Sequence, residues 1–241
     1  MGVASAVALI CPLRCVAACP MLPVNFRLLL VTDRSLVHGR SLESALRESV
    51  ASGVPAIQLR ERDLPTRELL SLTQQIRAVT QERAVPLLIN DRVDLAVALD
   101  LGGVHLRASS LPVSAARRVV GRHRLIGVSA HSVAEARQAG DDGADYVILG
   151  PIFETPSKRE FGDPLGFAVL ADACRHSSVP VFAIGGITRE RIESVRDAGA
   201  FGVAMIGGIL GRADVGNATA DMQSAVRTAW PADLRDDLHA R

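Results

Sequence analysis

The chain has 241 residues, 48% of them hydrophobic and 3% aromatic, with 27 Lys and Arg against 26 Asp and Glu for a formal charge of +1. That length and apolar content suit one large α/β domain better than two small ones. The charge balance and the scarcity of aromatic stacking surface exclude nucleic acid as an expected partner.

Residues 1–21 are apolar and rich in small side chains. No basic residue precedes the apolar run, Pro12 and Arg14 interrupt it, and it falls short of a bilayer-spanning length, which argues against a signal peptide or membrane anchor. Gly2 follows Met1, but Ala6 stands where myristoylation wants Ser or Thr. Cys11, Cys15 and Cys19 recur at a helical spacing, yet no His or acidic residue lies near to complete a metal site. Cys174 stands alone in a predicted helix, so no disulfide framework is expected. The segment reads as a disordered extension, with Met21 an alternative start that N-terminal sequencing of native protein would settle. No further apolar span follows, which predicts no membrane partner and a cytoplasmic location.

From residue 22 to 230 short β-branched runs alternate with longer amphipathic stretches, without a linker or composition break, and are read as one domain. Strands are predicted at 27–32, 53–60, 86–90, 102–106, 124–129, 143–150, 180–184 and 199–206, each followed by helix-like sequence. Gly53, Gly102, Gly143 and Gly199 recur where a helix ends just before a strand, the place where glycine frees the turn. Ser41 and Thr66 are predicted N-caps, Thr188 opens a helix carrying Ile192 and Val195, and a last helix is expected over 217–229. Residues 231–241 form a charged tail expected to fray. Eight β/α units predict a closed parallel (β/α)8 TIM barrel.

In such a barrel chemistry belongs at the carboxyl ends of the strands. The second strand ends in Gln58, Arg60, Glu61 and Arg62, the third in Asn90 and Asp91, and the fourth carries His105 and Arg107. The fifth ends in Ser129 and His131, and the sixth runs into Thr155, Ser157 and Lys158. The seventh and eighth end in Gly185-Gly186 and Gly207-Gly208. Gln58 and Arg60 share one side by the strand period, and an inward Arg wants an anion; an internal ion pair to Glu61 or Asp91 is the structural alternative. Asn90-Asp91 either caps the following helix or, through Asp91, holds Mg2+ beside a diphosphate. His131 suits proton transfer; a capping or surface role is the alternative, since neither Ala130 nor Ser132 offers a partner to orient it. His105 reads as a packed barrel histidine. Two glycine pairs at adjacent strand ends favour backbone N–H groups wrapping a phosphate over two tight structural turns.

Taken in order, Val31-Thr-Asp33, Ile57-Gln-Leu-Arg-Glu-Arg62, Ile89-Asn-Asp-Arg-Val-Asp94, Gly103-Val-His-Leu106, Gly127-Val-Ser-Ala-His131, Gly143-Ala-Asp-Tyr146, Gly150-Pro-Ile-Phe153 and Ala183-Ile-Gly-Gly-Ile187 resemble the thiamine phosphate synthase and TenI-type thiazole tautomerase superfamily. The synthase branch joins an aminopyrimidine diphosphate to a thiazole phosphate and releases pyrophosphate, with Mg2+ as its cofactor. The resemblance implies that Gln58, Arg60, Asn90, Asp91, Ser129 and Lys158 face the pyrimidine diphosphate and its metal. By the same likeness Thr155, Ser157, Gly185 and Gly186 face the thiazole phosphate, and a homodimer is implied.

The chain departs from the synthase pattern where Arg62 replaces Lys, where Ser110 replaces a second metal-binding Asp, and where Gly207 replaces Ser. A hydroxyl is a poor substitute for a carboxylate on Mg2+. The tautomerase branch needs no metal or other cofactor, only a phosphate anchor and an acid/base that aligns with His131. The departures therefore favour thiazole tautomerase, with thiamine phosphate synthase the alternative and a non-catalytic sensor third. A loop around Lys158 closing over substrate is compatible with Gly162 and Gly166.

Overall fold

In a computed structural model of the chain, which describes residues 23–155 and 163–231, eight parallel strands close into one barrel in sequence order. They are β1 Leu28–Val31, β2 Ile57–Leu59, β3 Leu87–Asn90, β4 Gly103–Leu106, β5 Leu125–Ala130, β6 Tyr146–Leu149, β7 Val181–Ile184 and β8 Gly202–Met205. Each pairs with the next, and Leu28 of β1 lies in register with Val203 of β8 to complete the ring. The helices between them are α1 Leu42–Ala51, α2 Thr66–Gln81, α3 Val93–Ala98, α4 Val113–Val120, α5 Val133–Asp141, α6 Gly166–His176, α7 Ile192–Asp197, α8 Gly207–Leu210 and α9 Val215–Ala229.

The strand period sorts the core into two clusters. Leu28, Leu30, Ile57, Leu59, Ile89 and Val104 pack outward among helix residues such as Leu46, Leu69 and Ile76. Leu29, Val31, Ala56, Leu88, Leu125, Tyr146, Ile148, Phe182 and Ala204 pack together inside the barrel. Truncating an outward residue such as Leu59, fully buried, to Ala costs about 2–5 kcal/mol, because both sheet and helix layer lose contacts.

Inside, Phe26 packs on Tyr146 and Phe182 at ring-centroid separations of 6.2 and 5.5 Å, plugging the amino-terminal end. Gly127 of β5 makes room for this packing, since a Cβ there would fall 2.1 Å from the Tyr146 ring and 2.5 Å from His105 Nδ1. The same parity carries Gln58, Arg60, Asn90, His105, Arg107, Ser129 and His131 to the inward side, above the plug, where the strands end.

The helix caps agree with the sequence in part. Ser41 Oγ accepts from the Ser44 N–H at 3.1 Å, and Ser132 Oγ accepts from Glu135 N–H at 3.1 Å. Thr66 is not a cap: Pro65 holds that position without a side-chain bond, and the Thr66 hydroxyl accepts from Arg92 at 3.1 Å instead. The last helix starts two residues earlier than the predicted Asn217, because the Asp214 carboxylate accepts from the Asn217 N–H at 2.8 Å. Gly53, Gly143 and Gly199 take left-handed backbone as expected; at Gly102 the left-handed residue is instead Asp100. Residues 1–22, Ser157, Lys158, Gly162 and residues 232–241 lie outside the described residues, and with them Cys11, Cys15, Cys19 and Met21.

Candidate active site

Arg60 follows β2 on the inward side and is half-buried. Its guanidinium makes no hydrogen bond or ion pair among the described residues, because both carboxylates it was expected to meet are engaged elsewhere. Glu61 accepts from the Thr32 hydroxyl at 2.6 Å and from Arg34 at 3.2 Å, and Asp91 accepts from Arg107. The internal ion pair is therefore absent at Arg60. Burial pulls the Arg60 guanidinium below its ordinary pKa, and the like charges of Arg62 and Arg107 add to the effect. Three arginines thus converge on one mouth. Arg60 and exposed Arg62 also line an open cleft of 660 Å³ with Asp33, Arg34 and Arg40.

Deeper in the barrel, Gln58 Nε2 donates to Asn90 Oδ1 at 3.3 Å, while the buried Gln58 Oε1 has no partner among the described residues. An acceptor left dry costs about 1–3 kcal/mol, so a donor from a ligand or water belongs there. His105 bridges Ser129 Oγ at 2.8 Å and the Tyr146 hydroxyl at 3.2 Å. Burial and then the charge of Arg60 push the His105 imidazole down to about 3. Burial and then Asp145 push the Tyr146 phenol up. His105 is thus a packed, neutral histidine that holds Ser129 at the mouth; sequence reasoning missed this relay because its three members are 24 and 41 residues apart.

His131 does have an orienting partner. Its Nδ1 lies 2.7 Å from the carbonyl oxygen of Gly150. A carbonyl only accepts, so Nδ1 carries a hydrogen, and in the neutral imidazole the lone pair is then on Nε2. The His131 N–H donates to Glu135 at 2.8 Å, and the Gly150 N–H donates to Ala130 at 3.2 Å. The two bonds to Gly150 tie the end of β5 to that of β6, and the bond to Glu135 ties it to α5. No residue next to His131 in sequence announces the contact.

Asp91 does not cap α3, whose N-cap is Arg92 with no side-chain bond. Its backbone is left-handed, φ 66, and its carboxylate accepts from Arg107 Nε at 3.2 Å and from Arg107 Nη2. Burial alone would raise the Asp91 carboxyl; hydrogen bonds from Ser110 and Arg107 and the Arg107 charge outweigh it and hold the group below the usual carboxylate range. A partly exposed ion pair is worth about 0–1 kcal/mol and left-handed backbone costs about 1–2 kcal/mol. Folding is therefore a poor reason for this corner. Among the described residues no three His, Cys, Asp or Glu side chains converge to hold a metal. One carboxylate already covered by a guanidinium and a hydroxyl does not fit the two-carboxylate clamp expected for Mg2+.

Gly185 and Gly186 have φ 97 and 63, and a Cβ on Gly186 would lie 2.7 Å from Phe153 Cβ and 2.9 Å from the Glu154 carbonyl. Packing against the segment after β6 thus requires glycine at that turn. Arg191 donates to the Gly186 carbonyl at 2.7 Å and stacks 4.3 Å over the Phe153 ring. Gly207 and Gly208 open the one-turn α8, which no side chain caps. A Cβ on Gly208 would meet only the flexible Met205 Cε, at 2.6 Å, and would sit 3.6 Å from the Ile187 carbonyl. The two glycine corners are therefore neighbours on one rim, and the second is not demanded by backbone crowding. Thr155 ends the described part of the segment after β6.

A family model described as thiamine monophosphate synthase matches residues 28–209. The chain belongs to that family. It is 39% identical to the thiamine-phosphate synthase of Clostridium novyi over 81% of this chain and 96% of that protein. A putative thiamine-phosphate synthase of Geobacter sulfurreducens is 44% identical over 80% and 91% respectively. Among solved structures, thiamine phosphate pyrophosphorylase from Pyrococcus furiosus superposes with a TM-score of 0.76 at 32% identity, covering 85% of this chain and 97% of that one. Of the two activities that the sequence resemblance leaves open, these names back the synthase over the favoured tautomerase. No helix among the described residues is long and apolar enough to cross a membrane.

Proposed function

We propose that this chain is a thiamine-phosphate synthase, joining a hydroxymethylpyrimidine diphosphate to a thiazole phosphate with release of pyrophosphate. The observation that carries the reading is Arg60, a half-buried guanidinium with no carboxylate partner among the described residues, in a chain about two-fifths identical to proteins named as synthases. A planar fork of N–H donors matches phosphate oxygens, and the absent partner is then a substrate anion.

In this reading Gln58 Oε1 accepts from the exocyclic amine of the pyrimidine, with Asn90 fixing the Gln58 amide and His105 fixing Ser129 at the pocket wall. The thiazole phosphate lies at the Gly185-Gly186 and Gly207-Gly208 corners, and the family resemblance assigns Thr155 and Ser157 to the same phosphate. The bond from the pyrimidine methylene to the diphosphate oxygen breaks, its electron pair leaving with pyrophosphate. The thiazole nitrogen lone pair forms the new C–N bond. Arg60, Arg62 and Lys158 meet the charge that develops on the departing group, the interaction that lowers the barrier most. Mg2+ is given no role at Asp91, whose carboxylate is already covered by Arg107 and Ser110. A homodimer in the cytoplasm belongs to the same proposal.

One observation favours the second reading. His131 Nε2 makes no hydrogen bond among the described residues while Nδ1 is held by the Gly150 carbonyl, the arrangement an acid/base for aromatising a carboxythiazole phosphate requires. Purified protein given pyrimidine diphosphate and thiazole phosphate separates the two: thiamine phosphate with stoichiometric pyrophosphate supports the synthase, and aromatisation of carboxythiazole without condensation overturns it.

A further inference from the structure

The cation beside Asp91 belongs to the chain itself. Arg107 follows β4 and reaches across to the end of β3, where its Nε and Nη2 both donate to Asp91 Oδ2. Ser110 closes the group: it hydrogen-bonds Asp91, and its hydroxyl accepts from the Arg107 N–H at 2.8 Å. A hydroxyl that accepts one N–H and donates to a carboxylate has little left to offer a metal. Arg107 Nη1 makes no hydrogen bond among the described residues, and 42% of the side chain is exposed. Strand parity carries Arg60 and Arg107 to the same inward side of the barrel mouth, and the Arg107 charge is felt at Arg60.

These contacts have a direct chemical consequence. A diphosphate entering this mouth meets two guanidiniums with unused N–H donors, one of them anchored by a carboxylate. The anchor does for Arg107 what protein carboxylates ordinarily do for a divalent ion: it fixes a positive charge where phosphate oxygens arrive. Arginine is suited to the exchange, since it stays charged at any working pH and offers its donors in a plane.

We propose that Arg107, held on Asp91 and Ser110, is the diphosphate-binding cation of this chain and relieves it of the need for a divalent ion at Asp91. The proposal rests on the synthase reading. In the step concerned, the carbon–oxygen bond to the diphosphate breaks, the electron pair leaves with pyrophosphate, and the thiazole nitrogen supplies the pair of the new bond. No proton or electron is exchanged, so replacing one fixed cation by another leaves the chemistry balanced.

The test is calorimetric titration of inorganic pyrophosphate into the full chain, in EDTA and then in excess Mg2+, beside a condensation assay under both conditions. The wild type is expected to bind pyrophosphate alike in both. Arg107→Gln is expected to weaken binding in EDTA by about tenfold or more, the loss of one charge-assisted contact. Arg107→Gly combined with Ser110→Asp is expected to bind only with Mg2+. The ion pair being partly exposed, these variants should fold, which thermal melting checks. Pyrophosphate binding by the wild type that demands Mg2+, or that survives Arg107→Gln unchanged, overturns the proposal while leaving the synthase reading intact if product still forms. Absence of thiamine phosphate under every metal condition overturns the synthase reading and, with it, the role given to Arg107.

Discussion

The Nδ1–H of His131 donates to the Gly150 carbonyl at 2.7 Å, which orients the imidazole between the ends of β5 and β6. Forming the C–N bond of thiamine phosphate takes no proton from the thiazole nitrogen. His131→Gln is therefore expected to lower kcat/KM for condensation by about tenfold or less, well short of the loss of a true general base, about 10²–10⁴. A larger fall, with binding of both substrates unchanged, would place a proton transfer on the path and return weight to the tautomerase reading.

Arg60 sets function against stability. A half-buried guanidinium without a partner among the described residues is costly to fold around, yet its planar donors suit a diphosphate. Arg60→Met is expected to raise Tm or leave it unchanged, and to lower kcat/KM by about 10²–10³. Melting curves and initial rates on the same preparation check both halves; a destabilised variant would show that Arg60 is structural.

His105 predicts an acid limb in stability. Its folded-state pKa, about 3, lies below the ordinary value of 6.5, so below pH 6.5 the unfolded chain binds a proton that the folded chain refuses. Stability is complete above about pH 6.5 and falls as pH drops toward about 3, by at most about 1.4 kcal/mol per pH unit. His105→Asn should flatten that limb in denaturant titrations between pH 4 and 6.5, relative to wild type, by about one proton's worth. It should also raise KM for the pyrimidine substrate, because Ser129 loses its anchor.

The glycine corners separate under substitution. Gly186→Ala puts a Cβ on left-handed backbone against Phe153 and Glu154, and is expected to cost about 1–3 kcal/mol of stability. Gly208→Ala meets only the movable end of Met205. It should fold normally and raise KM for the thiazole phosphate selectively, which unfolding curves and substrate titrations distinguish.

How far the sequence carried depended on distance along the chain. The eight strands were legible because alternation and helix-ending glycines are local patterns, and the inward parity of Gln58 and Arg60 followed from the period alone. The partner of His131 lies 19 residues away and that of Arg107 lies 16 away; such pairings are made by the closing of the barrel. Thr66 failed as a cap for a related reason, since Arg92 from the next β/α unit claims its hydroxyl. Asp91 was legible as a polar strand end, but whether it faced a helix, a metal or Arg107 was decided only when β3 and β4 came into register.

A discontinuous product assay bears on all of this most directly: the full chain incubated with hydroxymethylpyrimidine diphosphate and thiazole phosphate, with thiamine phosphate and pyrophosphate quantified together. Equal amounts of both products, lost with Arg60→Met, are what the site described above requires. Intact substrates after incubation with folded protein, with or without Mg2+, would contradict it.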